Sequence, residues 1–534
     1  MSEQKCLVIQ TPGVATDENL PKLENYVGIE FLRGSSGGGS TKGYYRMIGD
    51  ETLLQRLPVH NAIKNALVKG GVKTTNLNQI NFNKSEAGAN VSIDGADGND
   101  VMQTFPKMYL INGGSDPSYV RYIVSDTAFS YGDDVAKEIT PFGETPDYET
   151  IWNGVARCIA NDTVAGSQGA GNGTNYSDDS FGVATGYGRP KTQLTRYQYE
   201  SYARGKNSNI LSNLPYCNAT QQDAEVIMAL LYIECRTRII TSVFGHGISS
   251  NVKPNASTWG TVSGVRITRA DETTKLYYGF NDSIYVGGAS KNVWAVINGQ
   301  YPLLKCLEAQ KAVSNGDTLE PVYDADGNKL ASISEGVMTG IWTKNLSFTL
   351  AGWSSTATGE QETVTVDVVM RVPIWRGKSN LYGNIWTARS GYEVLNFKAN
   401  ADDETHNILF RAPSIEAIMT DTDEANKNAK GQFAFENAYD EICDLGATSS
   451  WMKEDAVKDG WNTLVGITPG VAINNYVQAY TYLAAGDAGV YKRKEVFVGG
   501  HAGNDFAVPR GCHASAAPSV PAAFFGSGFR VDLS

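Results

Sequence analysis

Apolar and polar positions change period several times along the chain. Between 195 and 206, Tyr199, Tyr202 and Ala203 recur at helical spacing. After a Pro/Asn break at 213–218, Ala224, Ile227, Met228, Leu231 and Cys235 form a second helical stripe. Thr220 stands where it can cap that helix, with Asp223 as its reciprocal partner. Residues 51–69 also predict a helix, with Ile63, Ala66 and Leu67 on one face and Gly70-Gly71 as its C-terminal stop. Residues 72–93 read as extended. From 258 to 372 the period becomes two, at Val262, Val265, Ile267, then Leu276, Tyr278, Phe280, then Leu346, Phe348, Leu350 and Val364, Val366, Val368. Asp324 to Asn328 predicts a hairpin tip within that stretch. Residues 373–534 read as loop-rich, with a short helix at 450–458. The whole pattern predicts an α+β fold.

Composition narrows the class. The chain has 534 residues, enough for several domains, and only 19% of them are charged. Its 56 glycines and many Asn, Ser, Thr and aromatic residues favour short strands and ordered loops over helical bundles. The formal net charge is −12, and the densest basic run is Lys492, Arg493, Lys494. A nucleic-acid binder needs a positive footprint against phosphate, so no nucleic-acid partner is expected. The opening residues lack an apolar targeting core, and no run of about 18 apolar residues suggests membrane insertion.

Little in the sequence points to a reaction centre. The seven cysteines are dispersed and form no CxxC pair, which reads as free buried thiols. Cys235 reads as a core thiol, and so does Cys512, although His501, Asp505 and His513 stand near it in sequence. The five histidines form no metal-ligand spacing, so neither a metal nor a cofactor is expected. The Asp94–Asp100 cluster lacks the glutamate of a calcium loop and reads as a turn. Gly34 to Ser40, followed by Thr41-Lys42, has the wrong order for a phosphate loop. No catalytic residue is assigned. A glycosidase would need two carboxyl groups about 5–10 Å apart in one cleft, and the sequence singles out no such pair.

Four segments, in order, resemble the C-type-lectin-like domains of phage and prophage tail or fibre proteins. The first runs from Asp97 to Tyr109, where a Gly/Asp turn leads to Val101-Met102 and then Pro106-Lys107. The second runs from Thr195 to Lys206 and continues into Ala224–Glu234, similar to the family's paired helices. The third is Arg376-Gly377-Lys378-Ser379-Asn380-Leu381-Tyr382-Gly383-Asn384-Ile385-Trp386, similar to the family's Arg-Gly…Gly-Asn-x-Trp loop, with Lys378-Ser379 departing from it. Its glycines would permit tight turns, and Trp386 would fill the core. The fourth pairs Gly499-Gly500 with Gly528-Phe529-Arg530. Formylglycine-generating enzymes share the fold, but they need two reactive cysteines near the end, and here only Cys512 is present.

The resemblance implies a C-type-lectin-like domain formed by 86–250 and 373–534, with 251–372 as a β-rich insertion and 1–85 as a virion-attachment region. It implies exposed binding loops between the terminal glycine blocks. Tyr382, Asn504, Asp505, Phe506, Arg510 and Phe524 are the candidate ligand contacts, with His501 and His513 as further exposed positions of that interval. The function it implies is that of a bacteriophage virion structural protein, a fibre or surface-decoration component for host-surface adhesion. The expected partners are other virion proteins, further copies of the chain in a trimer or dimer, and a host-surface glycan or protein. A purely architectural head or tail connector and a polysaccharide-degrading tail enzyme are the alternatives.

Overall fold

The helix expected after Thr220 spans Gln221–Cys235. The Thr220 hydroxyl accepts from the Asp223 backbone N–H, and Arg236 ends the helix at φ 53°. A second helix, Arg196–Gly205, occupies the other stretch of helical spacing. The computed structural model of the protein describes residues 25–32, 45–50, 53, 58–78, 84–91, 99–144, 195–205, 216–244, 264–269, 274–278, 332–334, 337–350, 362–372, 374–376, 378–379, 381–382, 386–419, 426–427, 433–470, 479–500, 508–519 and 525–534. Their architecture is a mixed α+β fold with several sheets and few helices.

On Gln221–Cys235 the stripe residues Ala224, Ile227, Met228 and Leu231 are buried and Cys235 is partly buried, while Glu225, Val226, Ala229, Leu230, Tyr232 and Ile233 on its other faces are buried too. Position explains this. The helix packs against Val27–Leu32, Met108–Gly113, Tyr119–Ser125, Trp386–Lys398 and Trp461–Gly470, all strands of one 15-stranded sheet. That sheet folds round the helix, so an amphipathic pattern would leave polar side chains facing apolar strands. The largest core cluster joins Ala224, Ile227, Leu230 and Leu231 to Val27, Leu110, Val124, Val394, Leu464 and Val496.

In spatial order the main path of this sheet is Tyr45–Gly49, Val27–Leu32, Tyr119–Ser125, Met108–Gly113, Trp461–Gly470, Ser450–Lys458, Ala479–Leu483, Arg510–Ala514, Val490–Val498, Trp386–Lys398, His406–Arg411 and Asp440–Asp444. A six-stranded sheet follows the order Tyr216–Asn218, Phe529–Asp532, Phe142–Glu144, Asp100–Phe105, Lys64–Lys69 and Val72–Asn76. Strands from 27–76 therefore pair inside both sheets, and the pairing shows no break at 85/86. The strands of 264–372 form a separate five-stranded sheet, with Phe348 opposite Val364 and Leu346 opposite Val366.

Two readings of local structure are corrected. Residues 51–69 do not form one helix: a five-residue helix, Pro58–Ala62, gives way to the strand Lys64–Lys69. Gly70 and Gly71 have φ of 59° and 81° and link that strand to Val72–Asn76. Two successive residues at positive φ are the signature of a tight hairpin turn, whereas a helix stop needs only one. Residues 450–458 are likewise a strand, joined to Trp461–Gly470 through Asp459-Gly460 at φ 51° and 71°. The described residues after 373 are consequently strand-rich rather than loop-rich. The expected turns at 94–98 and 324–328, the Gly34–Ser40 tract, Val262 and Phe280 lie outside the described residues.

Candidate functional site

Period-two alternation places aromatic rings on the face of the large sheet that is turned away from the central helix. In Ala479–Leu483, Ala479 and Thr481 are buried, while Tyr480 and Tyr482 are half-buried. Tyr480 stands opposite Trp451 in the neighbouring strand, their rings 5.1 Å apart and nearly perpendicular. Tyr480 and Tyr482 lie 4.4 Å apart along their own strand. On the other side Tyr482 pairs with His513, at 5.8 Å between rings. His513 packs on Trp386 at 5.5 Å and on Phe497 at 6.1 Å. Trp386 and Phe497 are buried and form the floor of this ribbon. Trp451, Tyr480, Tyr482 and His513 remain half-buried along its surface.

The ribbon is uncharged. Burial lowers His513 to about 4, so its imidazole is neutral near neutral pH. Its Nε2 lies 3.2 Å from the Ser515 hydroxyl. Aromatic faces with neutral polar edges suit stacking against a sugar ring or an apolar peptide side chain, combined with directional hydrogen bonds.

Among the described residues, several interior carboxylates are engaged by cations or hydrogen-bond donors. Glu225 accepts from Trp461 Nε1 at 2.7 Å and Arg411 at 2.8 Å, and also from the Tyr392 hydroxyl. Glu234 accepts from Trp375 Nε1 and Arg376, both at 2.8 Å. Asp223 meets Arg530 at 3.1 Å. Three acidic side chains of one helix are thus tied to arginines at 376, 411 and 530. Burial pushes the Glu144 carboxyl up, but Arg389 and Lys378 outweigh it and hold it at about 2. Burial acts in the same direction on Asp455, and Arg238 and Arg510 again prevail and lower it. Such pairs fix the relative positions of distant strands. Among the described residues, no group of three or more His, Cys, Asp and Glu side chains is arranged to hold a metal ion. No helix among them is long and apolar enough to cross a membrane.

Of the six expected ligand contacts, Asn504, Asp505, Phe506 and Phe524 lie outside the described residues, as does His501. Tyr382 and Arg510 are buried, which corrects the expectation that they are exposed. Tyr382 sits in the main core cluster. Arg510 pairs with Asp455 and donates to the Leu464 and Thr463 carbonyls at 2.9 and 3.1 Å. A guanidinium inside the sheet needs a carboxylate and carbonyls around it, and this one has both.

The motif residues that are described sit in turns and in the core. Arg376 adopts φ 47° and joins Glu234 to the His60 carbonyl. Gly499 and Gly500 turn at φ 96° and 80°. The Gly528 carbonyl accepts from the Ala219 N–H at 2.9 Å, and Phe529 and Arg530 are buried. Trp386 fills a core cluster with Ala388 and Phe497, as expected. Gly377, Asn380, Gly383 and Asn384 lie outside the described residues. Cys512 is buried, and burial pushes its thiol up to about 12.

Sequence reading missed Trp451, Tyr480, Tyr482 and His513 as a group. The signal was present in Ala479-Tyr480-Thr481-Tyr482-Leu483, where two tyrosines alternate with small or polar residues. Trp451 was hidden by the expectation of a helix at 450–458. A comparison of the chain with protein-family models gives no match, and no curated protein matches it.

Proposed function

We propose that this chain is a bacteriophage virion structural protein, a fibre or surface-decoration component that presents its aromatic ribbon to a host-surface glycan or protein. The single observation that carries this reading is the half-buried row Trp451, Tyr480, Tyr482 and His513 on a buried aromatic floor. A few aromatic anchors on a rigid base supply most of the energy of many recognition surfaces. The ion-paired interior supplies such rigidity, because each strand bearing a partner of the central helix is held in register. Further support comes from the position of Arg510–Ala514, which carries His513 and directly follows the 501–507 part of the interval where the family resemblance puts binding loops. Within this proposal the domain is C-type-lectin-like, the chain self-associates as a trimer or dimer, and its role is adhesion rather than catalysis.

Immunogold electron microscopy of intact particles, with an antibody raised against the folded chain, tests the address. Gold at the outer surface of head or tail is the expected result. Particles that contain the chain but bind gold only after disruption would favour an internal connector instead. Release of oligosaccharide from host capsule by the purified chain would favour the polysaccharide-degrading alternative.

A further inference from the structure

We propose that Glu495 carries a proton at neutral pH and so forms a latch that seats the Arg196–Gly205 helix on the large sheet, and that alkaline loss of this proton opens the latch. Glu495 stands directly opposite Glu393 on paired strands, Val490–Val498 and Trp386–Lys398. Arg196 and Glu200 approach them from the helix, and Arg493 from Glu495's own strand. All five side chains are at least 96% buried. Among the described residues, three carboxyl groups thus share two fully buried guanidinium groups. Arg204 reaches Glu200 at 3.3 Å, but it stands at the rim with 36% of its side chain exposed, where solvent screens it.

The partners decide which carboxyl holds the proton. Glu393 receives Arg493 at 2.8 Å and Arg196 on its other oxygen. Glu200 accepts from the Ser390 hydroxyl and from Arg204. Among the described residues, neither side-chain oxygen of Glu495 has a hydrogen-bond partner, and its approach to a cation is Arg196 Nε at 3.4 Å. An ionised carboxylate buried in that state lacks the donors it needs, whereas the neutral acid balances the cluster. Burial first, and the neighbouring Glu393 and Glu200, raise Glu495 well above its ordinary range against the pull of Arg196 and Arg493. The remaining ring neighbours, Tyr197 and Phe435, lie over Arg493. Ionisation would leave one uncompensated negative charge beneath the helix, and Arg196 and Glu200 are the residues through which the helix meets this cluster.

The test compares the full-length chain with Glu495→Gln, which keeps the shape and removes the charge. Infrared spectra near neutral pH should show a protonated-carboxyl stretch in the wild type that Glu495→Gln lacks. Hydrogen exchange, corrected for its intrinsic pH dependence, should show protection of 196–205 falling at least about tenfold between neutral and strongly alkaline pH, while 221–235 stays protected. Glu495→Gln should hold both helices protected throughout. Equal infrared bands in the two proteins, unchanged wild-type protection, or simultaneous loss from both helices would each overturn the latch. Should the variant fail to fold, disappearance of the wild-type band over the same pH range as the loss of protection decides in its favour, and persistence of the band decides against it.

Discussion

The Arg376 guanidinium meets the Glu234 carboxylate at 2.8 Å, tying the last turn of the central helix to the turn after Ile374–Trp375. Both side chains are mostly buried, and Trp375 Nε1 donates to the same carboxylate. Removing one member strands the other in the interior. Arg376→Ala should therefore lower unfolding stability by roughly 3 kcal/mol. Urea denaturation should show an earlier midpoint, and a midpoint equal to wild type would mean that the pair does not fasten the helix.

Acid should act through Glu144. Its folded value near 2 lies below its ordinary 4.5, because Arg389 and Lys378 prevail over burial. A depressed carboxyl contributes stability that is complete above its unfolded value and is lost as pH falls through the folded one. The window thus runs from about 4.5 down to about 2. Glu144→Gln should cost most near neutral pH and progressively less through that window. A cost independent of pH in denaturation series would contradict the assignment.

The described thiols should be slow to react. Burial pushes both Cys217 and Cys512 to about 12, so almost none of either is thiolate at pH 8. Thiol labelling of the folded chain followed by peptide mapping should leave both unmodified, and denaturant should expose them. Rapid labelling of Cys512 in the folded protein would reopen a role for it as a nucleophile.

At the Asp459-Gly460 turn the cost of a side chain is conformational. Gly460 has φ 71°, and an added Cβ would meet only ordinary contacts, 3.6 Å from Gly114 carbonyl carbon being the nearest. Gly460→Ala should destabilise by about 1 kcal/mol through the left-handed backbone. A loss several times larger in thermal unfolding would indicate a steric clash instead.

The helices at 196–205 and 221–235 were legible because spacing and the Thr220 cap act locally. The strands at 264–269, 274–278, 337–350 and 362–372 were legible for the same reason, since Val364, Val366 and Val368 alternate within a few residues. Asp459-Gly460 and Gly70-Gly71 carried equally local hairpin signals, which helical spacing on either side obscured. Burial of Arg510 was not legible. It depends on Asp455, Leu464 and Thr463, which arrive from other strands, and an arginine followed by glycine reads equally well as a loop tip. The aromatic ribbon depends likewise on register between strands far apart in sequence, so single residues could be noticed while their alignment could not.

Quantitative binding of the purified chain to bacterial cells, the host surface that the proposed adhesion role requires, compared with a Trp451→Ala, Tyr480→Ala, Tyr482→Ala triple variant, tests the proposed recognition surface most directly. Far-ultraviolet circular dichroism and the urea midpoint establish that the variant keeps its fold. The account predicts saturable binding by the wild type and at least about a hundredfold weaker binding by the variant, since three aromatic anchors at 1 kcal/mol or more each are removed. Equal binding by the two folded proteins would contradict it.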